Sequence, residues 1–285
     1  MEKGQERSVE KKERGASGFH RYYERIFPDR WAGLRAILEG DGLATEWSWS
    51  GSAGEPRYYL DPASLAVAHL LPLGERNLDL CAAPGGKTLV LAKRMVSLPA
   101  MHPDATLVAN ERSRERRARL HRVLETHLPQ EVRTRLRITG HDATRWGLHE
   151  PDWYDAILAD VPCSSERHVL TAPEALAQWS SSRISRLAVQ QFAILAAAID
   201  SLRAGGHVLY STCALTTLEN DAVLERALQR RGDKVEILVL DPGQFPPEAA
   251  GMRAGVERTT WGLQIMPDRC GGAGPMYCAL LRRVS

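Results

Sequence analysis

Short apolar runs alternate with segments of helical spacing along this 285-residue chain between residues 77 and 230. The apolar runs predict strands at 77–81, 106–110, 136–139, 154–160 and 207–211. The intervening segments carry apolar residues three or four positions apart and predict helices at 88–98, 114–127, 174–202 in two pieces, and 219–230. Regular alternation of strand and helix predicts an α/β fold, with a mostly parallel sheet covered by helices on both faces.

The two ends of the chain have different patterns. Residues 19–40 carry aromatic and aliphatic side chains at helical spacing, interrupted at Pro28, and predict two short helices. Residues 46–59 contain a glycine turn and predict a hairpin, and residues 62–71 predict a helix that opens the main domain. Near the carboxyl end, three more segments are predicted to complete the sheet with an antiparallel edge pair: 234–240, 262–266 and 275–281.

These patterns predict how the chain is divided. We expect a disordered start over residues 1–17, a cap of helices and a hairpin over residues 18–62, and one main domain over residues 63–285. With 44% hydrophobic residues, a chain of this length can bury one large core. Its formal net charge of +2 is too small for bulk charge to attract nucleic acid, so any such surface must be local.

Cysteine usage and the amino-terminal composition bear on location. The five cysteines form no CxxC pair and have no zinc-like spacing with histidine, so no metal site is expected. Residues 1–14 contain several glutamates, unlike a transit peptide, and show no apolar secretory core. We therefore expect a reduced, cytoplasmic protein, and a mitochondrial location is disfavoured. The longest apolar stretch, 187–202, is interrupted by polar residues and too short to span a bilayer, so no membrane association is expected.

A glycine-rich turn follows the first strand of the alternating region. Its sequence runs from Cys81 to Lys87 as CAAPGGK. Paired glycines let backbone approach a ligand closely, and the helix that follows offers its positive amino-terminus. The turn matches neither the dinucleotide fingerprint nor the phosphate loop. An ordinary strand-to-helix turn is the alternative interpretation.

Acidic residues follow the next two strands. Glu111 comes after residues 106–110, where nucleotide-binding α/β folds hold ribose hydroxyls, and Asp142 comes after residues 136–139, where it could accept the amine of adenine. Taken singly, an acid such as Glu111 is more often a helix N-terminal residue that balances the dipole, and Asp142 is equally well explained as a helix N-cap. Together with the glycine turn, they predict an adenosine-bearing cofactor along the carboxyl edge of the sheet.

Two cysteines stand at the ends of predicted strands. Cys163 closes the sequence Asp-Val-Pro-Cys that begins at Asp160, and Cys213 closes the sequence Ser-Thr-Cys that begins at Ser211. A single buried cysteine is usually an inert small hydrophobe. Two thiols at neighbouring strand ends beside a cofactor turn instead indicate covalent chemistry on a bound substrate.

These motifs, with Glu219 and Asn220 after the second cysteine, closely resemble the RsmB/Nop/Sun family of RNA cytosine-5 methyltransferases. The resemblance runs in order from Asp61 to Asn220, and the Arg-His pair after Cys163 favours the Sun subgroup that methylates mitochondrial and bacterial small-subunit rRNA. It implies a Rossmann-like class I methyltransferase fold with a seven-stranded sheet. It also implies S-adenosylmethionine as the cofactor.

Site residues are implied position by position. The resemblance makes Cys213 the nucleophile and Cys163 the residue that assists product release, with Asp160 between the cofactor and the target base. The implied cofactor contacts are Cys81, Ala82, Pro84, Gly85, Gly86, Lys87, Glu111, Arg116, Asp142, Ala143 and Asp160. Cys81 has packing as its simpler interpretation, and no role is predicted for Cys270 or Cys278.

The implied partner is RNA, with rRNA favoured and tRNA as the alternative. Candidate phosphate contacts are the arginines of 112–122, then 133–137, and the cap arginines Arg21, Arg25, Arg30 and Arg35. A solvated helix face explains the first group equally well, and a core-covering helix pair explains the cap. We expect a monomer, with room for a helper protein in RNA targeting.

Two other functions are compatible with the predicted fold. A DNA cytosine methyltransferase would attack through the Pro-Cys thiol at Cys163, but no target-recognition domain is visible. An RNA-binding assembly factor would keep the fold and lose turnover, and the intact residues Lys87, Asp160, Cys163 and Cys213 disfavour it.

Overall fold

The computed structural model describes residues 13–98 and 102–285. Its strands are β1 Thr45–Trp47, β2 Tyr58–Leu60, β3 Arg76–Asp79, β4 Thr106–Asn110, β5 Leu136–Thr139, β6 Tyr154–Asp160, β7 Leu202–Thr212, β8 Val235–Leu238, β9 Glu257–Arg258, β10 Leu263–Ile265 and β11 Met276–Arg283. Its α-helices are α1 Gly15–Ile26, α2 Trp31–Glu39, α3 Pro62–Leu70, α4 Gly86–Val96, α5 Arg114–His127, α6 Gln130–Arg133, α7 Glu166–Thr171, α8 Pro173–Ala177, α9 Ser181–Ser201 and α10 Asp221–Arg231. Short 3₁₀ helices span Ala143–Leu148, Pro242–Gln244 and Pro247–Gly255.

The central sheet has the strand order β5-β4-β3-β6-β7-β11-β10-β9, and β8 pairs with β11. The pairs among β5, β4, β3, β6 and β7 are parallel, whereas β11 is antiparallel to β7. The α/β fold with a mostly parallel sheet is thereby confirmed. The apolar strands explain this arrangement, because β6 and the first six residues of β11 are buried almost throughout and require cover on both faces.

The predicted number of strands is wrong. Within the described residues the sheet has nine strands rather than seven. The two strands beyond the seven that the resemblance implies are short and extend one edge: β10, which lies within the predicted segment 262–266, and β9, which was not predicted. Because β11 is eight residues long, its carboxyl-terminal half pairs with β8 while Met276 to Cys278 pair with β10.

The helix boundaries follow local capping. Asp61 accepts a hydrogen bond from Ala63 N at 2.7 Å and Pro62 begins α3, so this helix starts where the sequence predicts. Ser113 likewise caps α5. The segment 174–202, predicted as two helical pieces, is indeed two helices, α8 and α9, and the sequence missed only the short helix α7 that precedes it.

The cap packs through aromatic rings. Phe19, Tyr23 and Trp31 of α1 and α2 are buried against Trp179, with Tyr23 and Trp31 stacked at 5.0 Å between ring centroids. The core-covering interpretation of these aromatic residues is therefore confirmed, because buried rings cannot stack on RNA bases. The hairpin of β1 and β2 contributes Trp47 and Leu60 to the main core instead.

The predicted disordered start extends too far. Helix α1 begins at Gly15, and Gly15 N donates to Trp179 O at 2.9 Å. Ser181 N donates to Glu13 O, so this segment is held by backbone bonds to α9 and the turn before it. Residues 1–12 lie outside the described residues, and the domain division at residues 62 and 63 stays a prediction.

Candidate active site

The carboxyl ends of the parallel strands β3 to β7 meet along one edge of the sheet, and three cavities line this edge. A cavity of about 60 Å³ lies beside Glu111 and Asp142, and one of about 310 Å³ lies beside the glycine turn. A third, of about 420 Å³, lies beside Cys213. Cys81 lines the first two cavities, and Asp61 and Ser64 line the last two, so the three adjoin one another.

The glycine turn leads directly into helix α4. Gly85 has a φ of +122°, a conformation open to glycine and strained for other residues, and α4 begins at Gly86. A Cβ atom on Gly86 would lie 2.9 Å from the Tyr58 ring. The paired glycines therefore let the turn pack beneath Tyr58. The turn residues Ala82, Pro84, Gly86 and Lys87 line the 310 Å³ cavity. Sequence reasoning missed Tyr58, which the hairpin brings in from outside the alternating region.

Glu111 is buried, with 6% of its surface exposed, at the end of β4. One carboxyl oxygen accepts a hydrogen bond from Ser113 N at 2.8 Å, and the other lies 3.5 Å from Arg116. Arg116 also donates to Ala83 O at 2.7 Å, which ties α5 to the glycine turn. Glu111 therefore supports the start of α5 and also lines the 60 Å³ cavity, so the two interpretations of this acid are compatible.

Asp142 likewise both caps a helix and lines the 60 Å³ cavity. Its side chain accepts from Thr144 N and Thr144 Oγ1, which caps the following 3₁₀ helix, and it forms an ion pair with Arg112 at 3.1 Å. Burial by itself would raise the pKa of Asp142, but the Thr144 bonds and the charge of Arg112 outweigh it and hold the pKa below its usual value. The carboxylate stays ionised in the wall of the cavity, next to Ala143.

Asp79 is a site residue that sequence reasoning missed. This buried acid ends β3 and lines the 310 Å³ cavity, and Thr88 Oγ1 donates to one of its oxygens at 2.6 Å. The other oxygen, Oδ1, is buried without a hydrogen-bond partner in the described part of the chain. Burial raises the pKa of Asp79 to about 7. An orphaned acceptor in this wall fits a ligand that carries an ammonium or hydroxyl group. Its position at a strand end was the available signal.

Lys87 and Asp160 form an ion pair between the cavities. Lys87 Nζ lies 2.9 Å from Asp160 Oδ2 and donates to Ser64 Oγ at 3.1 Å, and Ser211 Oγ donates to Asp160 Oδ1 at 2.7 Å. Burial would lower the pKa of Lys87, but Asp160 and then Cys213 outweigh it and raise the pKa. A fixed ammonium charge thus lies within electrostatic reach of the Cys213 sulfur.

The two predicted thiols meet. Cys163 Sγ lies 2.8 Å from Cys213 Sγ, and Ser165 Oγ lies 3.4 Å from the first sulfur and 3.3 Å from the second. Ser165 adopts a left-handed backbone with φ of +54°, a strained conformation for serine that brings its hydroxyl between the thiols. The hydrogen bond to Cys213 and burial raise the pKa of Cys163 well above its usual value. Cys163 is therefore a neutral thiol beside Cys213.

The other cysteines lie apart from this pair. Cys81 lines the 60 Å³ and 310 Å³ cavities, and burial raises its pKa well above the ordinary value, so packing accounts for it. Cys278 is buried in β11, and buried Cys270 contacts Met252 O. In the part of the chain that the structure describes, no group of three or more His, Cys, Asp or Glu is placed to hold a metal ion. No described helix is both long and apolar enough to cross a bilayer.

Most of the candidate arginines have partners within the fold. In the cap, Arg25 pairs with Glu13, Arg30 with Glu257 and Asp268, and Arg35 with Glu39, while Arg21 is exposed. On α5 and the turn before it, Arg112 and Arg116 line the 60 Å³ cavity and Arg119 lines the 310 Å³ cavity. Arg117 donates to backbone carbonyls. Arg114 and Arg122 are exposed. The candidate phosphate contacts are therefore fewer than the sequence pattern predicts.

Comparisons with known proteins agree with this geometry. Residues 69–282 match the family model described as 16S rRNA methyltransferase RsmB/F. The chain is 37% identical to the bovine (Bos taurus) protein named 5-cytosine rRNA methyltransferase NSUN4 over 242 residues, which cover 81% of this chain and 61% of that protein. It is 31% identical over 281 residues to the mouse (Mus musculus) protein named tRNA (cytosine(34)-C(5))-methyltransferase, mitochondrial, covering 93% of this chain and 75% of that one. The chain thus spans about three-fifths of the length of the NSUN4 relatives that it matches.

A solved structure has the same fold. The crystal structure of a methyltransferase homologue from Pyrococcus horikoshii superposes with a TM-score of 0.62 at 20% identity, covering 93% of this chain and 94% of that one. The mouse tRNA relative is named as mitochondrial, and this finding contradicts the cytoplasmic location expected from the sequence. Because the family model matches most of the chain, including both thiols and the glycine turn, the protein belongs to the RsmB/F family of methyltransferases.

Proposed function

We propose that this protein transfers a methyl group from S-adenosylmethionine to carbon 5 of a cytosine in RNA, through a covalent adduct on Cys213. The observation that carries the proposal is the relation between the two thiols and the cavities. Cys213 lines the 420 Å³ cavity, Cys163 lies behind it as a neutral thiol, and the glycine turn lines the adjoining 310 Å³ cavity.

The cofactor is expected in the two cavities joined by Cys81. Ionised Asp142 and buried Glu111 provide acceptors for adenosine on one side, with Ala143 and Ile194 as apolar walls. On the other side, Asp79 Oδ1 provides the orphaned acceptor, beside the open backbone of the turn. When bound there, S-adenosylmethionine supplies an electrophilic methyl group.

The protein's own groups prepare the base. Carbon 5 of cytosine becomes nucleophilic after a thiolate adds to carbon 6, and we assign this attack to Cys213, whose sulfur lies within electrostatic reach of the Lys87 ammonium. We assign Asp160, which Lys87 and Ser211 hold in place, to hydrogen-bond the amino edge of the base and stabilise the adduct. After methylation, a water molecule or another base accepts the proton of carbon 5, the carbon 5–carbon 6 double bond re-forms, and the carbon 6–sulfur bond breaks with its electron pair returning to Cys213.

Cys163 has the complementary role. A neutral thiol 2.8 Å from the leaving sulfur can donate its proton as the Cys213 bond to the base breaks. Removing Cys163 should therefore slow release more than attack. The opposite assignment, with Cys163 as the nucleophile, would need its thiol to ionise where burial and Cys213 oppose that.

The substrate that we propose is small-subunit rRNA. The family description and the NSUN4 names support rRNA, and the name of the mouse relative supports tRNA as the alternative. A cytosine must leave its stack to reach a cavity beside Cys213, so the target is single-stranded or locally opened.

Transfer of labelled methyl groups to small-subunit rRNA, to tRNA and to DNA tests the proposal. We expect 5-methylcytosine in rRNA, detected as a bisulfite-resistant site that is lost in cells without the gene. Methylation of tRNA alone would establish the alternative substrate, and methylation of DNA alone would support the DNA enzyme. RNA binding without transfer to any of the three would support the assembly factor.

A further inference from the structure

Two buried carboxyl groups meet directly behind the thiols. Glu166, with 1% of its surface exposed, and Glu219, with none, both contact the hydroxyl of Ser164. Ser164 Oγ lies 2.5 Å from Glu166 Oε1 and 2.5 Å from Glu219 Oε2. Neither carboxyl has an ion pair within residues 13–98 and 102–285. The steps proposed for methyl transfer use neither group.

The two contacts of the Ser164 hydroxyl require one proton more than the hydroxyl itself carries. The Ser164 hydroxyl carries one proton, so it can donate to one of its two carboxyl contacts at a time. If both carboxyls were ionised, the Ser164 oxygen would lie 2.5 Å from one carboxylate oxygen with no hydrogen atom between them, and two negative charges would be buried side by side. One additional proton on the carboxyl pair makes both contacts hydrogen bonds. The geometry is thus that of two carboxyls holding a single proton between them.

This pair connects the two loops that carry the thiols. Ser164 N donates to Glu219 Oε1 at 2.8 Å, and Leu215 N donates to Glu166 Oε2 at 3.2 Å. Ser164 follows Cys163 directly, and Leu215 lies two residues after Cys213. Each thiol-bearing loop therefore donates a backbone N–H hydrogen bond to one of the two carboxyls, and the Ser164 hydroxyl contacts both of them.

The cap and α9 complete the surroundings. Tyr23 OH of α1 donates to Glu166 Oε1 at 2.5 Å, and Gln191 Nε2 of α9 donates to Glu219 Oε1 at 2.9 Å. Thr216 Oγ1 lies 3.3 Å from Glu219 Oε2. The other titratable groups that face the pair are Tyr210, whose hydroxyl donates to Glu219 O, and the thiol of Cys163. These groups are neutral, and in the described part of the chain neither carboxyl has an ion-pair partner to stabilise a second negative charge.

We propose that Glu166 and Glu219 share one proton through Ser164, and that this singly protonated pair is a positioning device that holds Cys163 and Cys213 against each other. The proposal rests on the proposed function for its catalytic meaning. Tyr23 makes the amino-terminal cap part of the device. Burial, and then the charge of Glu219, raise the pKa of Glu166 to about 7, so the pair loses its proton as the pH rises above neutrality.

Site-resolved alkylation of the free protein tests the positioning without RNA or cofactor. Iodoacetamide is applied between pH 6 and pH 8, and mass spectrometry gives the ratio of labelling at Cys213 to labelling at Cys163. In the natural protein this ratio should change by up to about tenfold over that range, because a group titrating near pH 7 goes from about nine-tenths to about one-tenth protonated. In Glu166→Gln the side chain stays neutral, so the part of the change due to the pair should disappear.

Three further variants make the test specific. Glu174→Gln removes an exposed acid from α8 and should keep the natural pH response. Tyr23→Phe removes one donor to Glu166 and should move the midpoint of the response upward, because the ionised form loses a hydrogen bond. In Glu166→Ala, the ratio of labelling at Cys213 to labelling at Cys163 should differ from that of the natural protein at every pH. The proposal is overturned if Glu166→Gln and the natural protein have the same pH response, or if Tyr23→Phe leaves the midpoint in place.

Methyl transfer provides the second measurement. If the pair positions the thiols, kcat of Glu166→Gln should lack the pair-dependent decline that the natural protein shows between pH 6 and pH 8, with KM for RNA unchanged. A merely structural role would lower stability without moving the pH profile. Failure of the natural protein to methylate any RNA would refute the proposed function, while the alkylation ratio would still decide the positioning role.

Discussion

Cys163 Sγ and Cys213 Sγ lie 2.8 Å apart although 50 residues separate them along the chain. Their proximity follows from the parallel pairing of β6 and β7, whose register places Asp160 opposite Ser211. The next residues of both strands leave the sheet at the same edge, so the two thiols converge above it. As a result, the Cys213 thiol lines the 420 Å³ cavity, and the Cys163 thiol is its neutral neighbour.

Separate substitution of the two thiols should therefore have different effects. Cys213→Ala should abolish methylation and form no protein–RNA adduct, because no thiolate remains in the 420 Å³ cavity. Cys163→Ala should still attack and methylate but release product slowly, leaving an adduct that survives denaturing electrophoresis. A single-turnover assay with a labelled methyl donor measures both outcomes.

A control isolates the thiol chemistry from packing. Cys278→Ala alters a buried cysteine of β11 that lines none of the three cavities and should behave as the natural protein in adduct formation. Accumulation of adduct in Cys213→Ala would reverse the assignment and favour attack by Cys163.

Glu111 should contribute to cofactor affinity. Replacement by Ala removes a buried carboxylate from the wall of the 60 Å³ cavity and should weaken S-adenosylmethionine binding by about 1 to 3 kcal/mol, as for a hydrogen bond to a charged group. Calorimetry measures the affinity, and thermal unfolding monitors the lost bond to Ser113 N. Glu115→Ala, an exposed acid in the first turn of α5, is the matched control. Equal affinities in the two variants would remove Glu111 from the cofactor site.

RNA affinity should depend on exposed arginines rather than on the whole run. Arg112 pairs with Asp142 and Arg119 lines the cofactor-side cavity, so changing either would confuse RNA binding with cofactor binding. Replacing Arg114 and Arg122 by Ser should weaken RNA binding and reduce the slope of log K against log salt by about 2, while cofactor affinity stays unchanged. Filter binding over a salt series measures this slope.

The matched control removes the same charge elsewhere. Arg137 pairs with Glu150 and Arg282 with Glu236, so the double change of these two arginines to Ser lowers the net charge equally. It should leave the salt slope near the natural value. If both double variants lose affinity alike, bulk charge rather than α5 attracts RNA, and if neither does, exposed Arg21 of the cap becomes the next candidate.

Asp79 should make stability depend on pH. Its pKa is raised from 3.8 to about 7 by burial, so the fold favours the neutral acid. The resulting contribution to stability is complete below pH 4 and is lost as the pH rises through about 7, with a total on the order of a few kcal/mol. In Asp79→Asn this contribution should not vary with pH. Chemical unfolding of both proteins between pH 5 and pH 8 would contradict the assignment if the difference in their unfolding free energies stayed constant.

Much of the fold could be predicted from the sequence because its signals are local. The apolar runs of β4, β5 and β6 are bounded by polar turns, and their predicted limits agree with the structure. Strand-end residues such as Glu111 and Asp142 could be assigned to one edge because parallel strands present their carboxyl ends together. The two thiol motifs indicated their chemistry by residue type and order alone.

Only the tertiary structure decided what lies behind and beside those residues. Glu166 and Glu219 are 53 positions apart and join through Ser164, and Tyr23 reaches them from the cap across 143 positions. Tyr58 lines the 310 Å³ cavity from the hairpin, and the two-residue strand β9, which the sequence did not predict, pairs with β10 at the edge of the sheet. The alternation of apolar and polar residues determines which elements form, since burial is local to each strand or helix. Which distant side chains share a proton or line a cavity depends on how those elements pack, and no short stretch of sequence carries that information.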